Sequence, residues 1–366
     1  MSHRRGRLAA GTLGFALALL LALPAGAAAA SFTTPPQTSG MSATLPLLGS
    51  SLTVDVALDA NGNLSSVSLN PVGDFTATKD HPHFVKFQNT DGSVKVSITA
   101  WGGAMALKAK AGSLSALEGS GTWSADIFGT GDTTTVHYTV GDDGSGAPTV
   151  AIDSVNAPSG VTVTQNPPTT KTWGDFASAR VSADFAWNGF TKHLAIATSV
   201  GSKKDDSGAR LQIVLWGDHS QKLSGTLADV LGSHTWSGKL CDGTTVGVAF
   251  QVVDDGTGNG KVTYDPNTFA TGGTAKAKAF GNGFVAWFTN KGAAVAVSLR
   301  KAQDGTYTLR VASFAGRWCD KGTTPANPTL NTPVSPDATK GPDKFHGGHG
   351  KHLGFGFGHG RQKGHK

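Results

Sequence analysis

Glutamate is all but missing from this chain: Glu118 stands alone beside twenty-four aspartates. Glutamate favours helix surfaces and is depleted from strands, whereas aspartate serves turns. The imbalance therefore argues for strands and tight turns over helices. A single glutamate also excludes a His-Glu-x-x-His metal site and any acid/base pair built on two glutamates. The chain has no Gly-x-Ser-x-Gly elbow, no P-loop and no dinucleotide fingerprint, so the commonest catalytic and nucleotide-binding signatures are absent. Cysteine is almost as scarce. Cys241 and Cys319 are the only two, and in an exported chain an isolated pair reads as one disulfide. Closing so long a loop stabilises a fold by roughly 4 kcal/mol on the chain-entropy model.

Export is what the N-terminus announces. Arg4, Arg5 and Arg7 precede an apolar run from Leu8 to Leu23, which ends in an alanine-rich stretch through Ala30. A cationic start, a short apolar core and an Ala-x-Ala end make residues 1–30 a signal peptide. No cysteine stands near the cleavage site to carry a lipid, and no later apolar stretch is long enough to span a bilayer. The mature chain is thus expected outside the cell, secreted or held at the cell wall.

Positive charge is scarce where a folded groove would need it. Three arginines belong to the leader, and residues 340–366 hold six bases and one acid. That leaves 22 cations against 24 carboxylates in residues 31–339, a net charge of −2. The basic pI of about 9.2 belongs to a tail, and no specific nucleic-acid partner is expected.

What the chain has in abundance is glycine, 50 residues of it, and period-two alternation. Three stretches carry the same message: Val54 to Pro71, Val136 to Val155 and Val248 to Pro266. Each is an alternating run, an Asp/Gly/Asn turn and a second alternating run, which is a β-hairpin signature. Further matches follow in the same order. Gly119-Ser120-x-Thr122-Trp123-Ser124 parallels Gly232-Ser233-x-Thr235-Trp236-Ser237, and Val94-x-Val96-Ser97-Ile98 parallels Val295-x-Val297-Ser298-Leu299. Ordered matches of this kind point to internal duplication. The expected fold is all-β: three related antiparallel β units, sandwich- or barrel-like and closed on each other, between disordered termini. The units run over 52–127, 128–241 (with an insertion at 161–190) and 242–322. A flexible lead-in covers 31–51, and a Pro/Thr linker with a His/Gly/Lys-rich tail covers 323–366. His234-Thr235-Trp236-Ser237-Gly238 resembles a strand of the avidin-type biotin-binding barrels over five residues, and no ligand or site is carried over from that family.

Three chemistries are open to such a chain. Trp123, Trp236 and Trp318 close successive units, and Trp101 matches Trp216, so these are read as core. Trp173 and Trp187 lie in the unduplicated piece, with Asp175 close by, and are the candidates for a sugar-stacking platform. On that reading the partner is a cell-wall or extracellular polysaccharide. Second, His346, His349, His352 and His359 in the glycine-rich tail suit Zn²⁺, Cu²⁺ or Ni²⁺, making metal sequestration the alternative function. Third, an Asp-dependent extracellular hydrolase needs only two of the aspartates. The aspartate-rich hairpin turns carry oxygens suited to Ca²⁺ but lack the spacing and closing glutamate of an EF-hand, and read as plain turns. Binding, not catalysis, is the expected role.

Overall fold

Alternation becomes sheet throughout. The computed structural model describes residues 29–34, 36–101, 104–201, 207–218, 220–239, 244–269, 275–288, 293–313, 326–336 and 338. These form four sheets with a single α-helix, Leu227–Val230. Strand Ala104–Ala111 shows the rule at work: Met105, Leu107, Ala109 and Ala111 are buried while the residues between them are not. No helix among the described residues is long and apolar enough to cross a membrane.

The sheets pair into two sandwiches with separate cores. A seven-stranded and an eight-stranded sheet enclose the larger core, which includes Trp123, Phe87, Phe185 and Tyr138. A four-stranded and a five-stranded sheet enclose the smaller, around Trp236, Phe284 and Phe250. Trp123 and Trp236 are both almost wholly buried, at 0 % and 1 % exposure. Trp318 and the side chain of Trp101 lie outside the described residues.

Strand order reveals how each sandwich is assembled. In the seven-stranded sheet, Gly40–Leu47 pairs with Gly119–Ala125 at the centre, and a three-strand meander runs outward from each. In the eight-stranded sheet, Ala104–Ala111 and Ala209–Gly217 are the central pair, and each begins a four-strand meander leading outward. Residues 40–111 and 119–217 thus repeat one succession of seven strands. Residues 232–313 follow it a third time. There the places of a second half are taken by Ser31–Thr33, parallel to Gly232–Lys239, and by Ser220–Gly225 beside Tyr307–Ser313.

These boundaries begin earlier than the hairpins suggested, because each unit's first strand precedes its hairpin. The expected insertion at 161–190 is also regular structure. Strands Thr162–Trp173 and Phe176–Trp187 hold the sheet position that Thr76–His81 and Phe84–Gln88 hold on the other side. At twelve residues each, they are long enough to hide the correspondence in the sequence.

Both expected flexible flanks are partly ordered. In the lead-in, Gly40–Leu47 is a central strand, and Phe32 is buried against His234 and Phe250. The Ala30 N–H donates to His234 Nδ1 at 3.2 Å, so the proton sits on Nε2, which donates to the Val230 carbonyl at 2.9 Å. Burial lowers the pKa of that imidazole, in keeping with the neutral tautomer this geometry needs. Within the linker, Thr329–Leu330 pairs with Leu64–Asn70, and Val334 bridges Ala77. Asn331 both accepts from the Leu69 N–H and donates to the Leu69 carbonyl. This segment covers one edge of each large sheet, where unpaired backbone groups would otherwise invite aggregation. Residues 1–28, both cysteines and 339–366 lie outside the described residues, and with them the expected leader, the expected disulfide and the tail histidines.

Candidate functional site

Cross-strand registers turn the outer face of the eight-stranded sheet into a grid. Side chains two residues apart share a face, and paired residues form rungs across the strands. One rung reads Arg180, Ala197, Gln212, Lys108, Ser97, Lys86, Lys79. The next reads Lys171, Ser178, Ser199, Arg210, Lys110, Lys95, Gln88. Eight cations therefore occupy two adjacent rungs, and they share those rungs with Ala197, Gln212, Ser97, Ser178, Ser199 and Gln88. Seven gaps of about 4.8 Å make the band about 34 Å wide.

Like charges sit directly opposite one another in this band: Lys79 beside Lys86, and Lys95 beside Lys110 beside Arg210. Such pairs destabilise a sheet. Burial, followed by the ammonium groups of Lys95, Lys79 and Lys110, holds the pKa of Lys86 below the ordinary lysine value. The opposite face of the same sandwich is different: its strands Gly40–Leu47, Ser50–Leu58, Leu64–Asn70, Gly119–Ala125, Thr134–Asp142 and Pro148–Asn156 hold no lysine or arginine and present the carboxylates of Asp55 and Asp153. Its rung Asn70, Thr53, Thr44, Thr122, His137, Ser154 is lined by hydroxyls, an amide and one imidazole. The sandwich is electrically two-sided.

Two rungs from the band, the same outer face carries a compact cluster. His193 Nδ1 lies 2.8 Å from Asp184 Oδ1, and Nε2 lies 3.8 Å from Asp218 Oδ1. Lys222 Nζ approaches Asp218 Oδ2 at 3.6 Å. The Trp216 ring stacks on the imidazole with centroids 5.2 Å apart, and the Arg180 guanidinium lies 5.9 Å from the Trp216 centroid. The Asp218 and Asp184 carboxylates raise the His193 pKa, against an opposing effect of burial. Both ring nitrogens face carboxylates, an arrangement that favours the protonated imidazole. Next along the strand, Lys192 points into the sandwich over Gly217, where a Cβ would stand 2.7 Å from Lys192 Cδ. Burial pushes its ammonium pKa down to about 8.

The raised His193 pKa has a stability consequence of definite sign. Its stabilising effect is complete below the unfolded value of about 6.5 and is lost as pH rises through the higher folded value. Replacing His193 with Asn is therefore expected to cost about 0.5–1 kcal/mol more at pH 6 than at pH 9. Urea midpoints of both proteins at the two pH values check this, and equal differences would remove the ion pairs from the account.

The sequence-level candidates fall in different places. Trp173 is 77 % exposed, at the tip of its hairpin, two residues beyond Lys171 on the basic face. Asp175 is exposed in the turn beside it. Trp187 stands at the other end of strand Phe176–Trp187, about 36 Å away at 3.3 Å per residue. It packs on the larger core with its ring 5.4 Å from Phe128. The structure does not bring the two tryptophans into one platform. Trp216, read as core, is half-buried on the outer face. Its strand parity held that information, since Leu211, Ile213 and Leu215 point inward. The turns with aspartate pairs are self-satisfied: Asp254 Oδ1 accepts from Gly256 and Gly258 N–H, and Asp255 Oδ1 from Thr257 and Asn259 N–H. No group of three or more His, Cys, Asp or Glu among the described residues is arranged to hold a metal ion. His346, His349, His352 and His359 lie outside those residues. Neither a protein-family model nor a curated protein matches this sequence.

Proposed function

We propose that the chain is an exported, non-catalytic binding protein that lays the outer face of its eight-stranded sheet on an anionic polysaccharide at or beyond the cell surface. The observation that carries this reading is the concentration of lysines Lys79, Lys86, Lys95, Lys108, Lys110 and Lys171 on two adjacent rungs of one face, which attracts a polyanion. Six of the eight cations are lysines, which act as point charges and lack the bidentate fork that reads phosphate and base edges. The nearby tryptophan Trp173 stands at one end of the band and is not interleaved along it, as base-stacking grooves require. An acidic glycan needs only a row of positive charge with an aromatic at its margin.

Retention on immobilised polygalacturonate is the direct test. The protein should bind at low salt, elute as sodium chloride rises, and pass unretarded through neutral dextran, because counterion release drives the contact. Trp173→Ala should weaken binding about fivefold, the effect of about 1 kcal/mol of ring contact. Equal retention on single-stranded DNA, with Trp173→Ala indifferent, would reduce the surface to a general polyanion patch.

A further inference from the structure

We infer that a second site for acidic sugar residues lies on the outer face of the five-stranded sheet, centred on Trp287 and Lys276. It rests on the anionic-glycan reading above. Strand Gly283–Phe288 turns Phe284, Ala286 and Phe288 into the smaller core and so points Val285 and Trp287 outward. The indole is left 37 % exposed. Its cross-strand neighbours are Lys276, on the edge strand Ala275–Ala279, and Ala294. The adjoining rung places Lys278 beside Val285 and Ala296.

Lysines alone on an edge strand have an ordinary explanation, since they deter pairing with other chains. That explanation does not extend to the tryptophan. An exposed indole flanked by valine and alanine presents a flat aromatic face, negative at its centre. The C–H groups of a pyranose ring are complementary to such a face. A paired residue on the next strand has its Cβ about 5 Å away, within reach of a carboxylate on the same sugar, where a charge-assisted hydrogen bond forms. A phosphate polymer brings the charge without the apolar ring face, and a neutral glucan brings the ring without the charge. The Trp287–Lys276 pair therefore selects a uronate.

Equilibrium binding of the full chain to oligogalacturonate and to polyphosphate tests this. Trp287→Ala should weaken oligogalacturonate about fivefold and leave polyphosphate within twofold, and Trp287→Phe should restore most of the loss. In a chain carrying Lys79→Glu, Lys86→Glu and Lys95→Glu, residual oligogalacturonate binding should persist and disappear when Trp287→Ala is added. The indole is 37 % exposed and the rest of it is packed, so urea midpoints fix for each variant the conditions under which binding is read on folded protein. If Trp287→Ala leaves oligogalacturonate binding intact, or weakens both polymers alike, the second site is overturned. If the triple reversal leaves binding whole while Trp287→Ala abolishes it, the second site stands and the reading of the eight-stranded face falls.

Discussion

Reversing three charges, Lys79→Glu with Lys86→Glu and Lys95→Glu, is expected to remove most of the polysaccharide affinity, leaving only the residual contribution of the Trp287 face, without harming the fold. A lysine close to an anionic surface contributes about 1 kcal/mol. Losing three lowers affinity at least about 100-fold, before any repulsion from the new carboxylates is counted. Stability should move the other way or stay level. Lys79 and Lys86 face each other across two strands, so replacing both exchanges one like-charge pair for another, whereas Lys95→Glu turns its repulsive neighbour Lys110 into an attractive one, worth about 0.2–1 kcal/mol. Binding isotherms and urea midpoints on the same preparations separate the two effects. A protein that lost affinity and stability together would show that these lysines hold the sheet and do not serve a ligand.

Trp236→Ala carries the largest expected loss of stability, about 3–5 kcal/mol for an aromatic removed from a packed core. The indole stacks on Phe288 at 6.1 Å and belongs to the smaller core alone. The loss should fall on the unfolding of that sandwich and leave the transition of the larger one in place, which calorimetry resolves. Trp236→Phe should cost less than about 1.5 kcal/mol. Most of the buried area survives, and the indole Nε1, buried without a hydrogen-bond partner among the described residues, leaves nothing unpaired when it goes. Equal displacement of both transitions by Trp236→Ala would mean that the two cores unfold as one.

Much of this architecture was legible before any coordinates. Alternation in Val94 to Ile98 and in Val295 to Leu299 gives the strands, the Asp/Gly turns give the hairpins, and the recurrent Thr-Trp-Ser gives two buried anchors in matching settings. The site was far less legible. Net charge of −2 over residues 31–339 pointed away from any basic surface, because a sum over the chain is blind to which face each charge occupies. The individual lysines were readable as outward by parity, as in Lys95 between Val94 and Val96. That Lys79, Lys86, Lys95, Lys110 and Arg210 stand side by side depends on pairing between strands as much as a hundred residues apart, which no local pattern encodes. The same limit separated Trp173 from Trp187. Closeness in sequence suggested one platform, whereas an extended strand sets its ends far apart.

Strand, turn and inward face were determined by the sequence itself, since period-two burial and the steric freedom of glycine act over a few neighbouring residues. Which strands lie next to one another, and hence where charge accumulates and which aromatics stay wet, was decided only by the tertiary structure. The physical reason is that sheet order and register minimise the free energy of the whole core, a quantity set by contacts between distant segments.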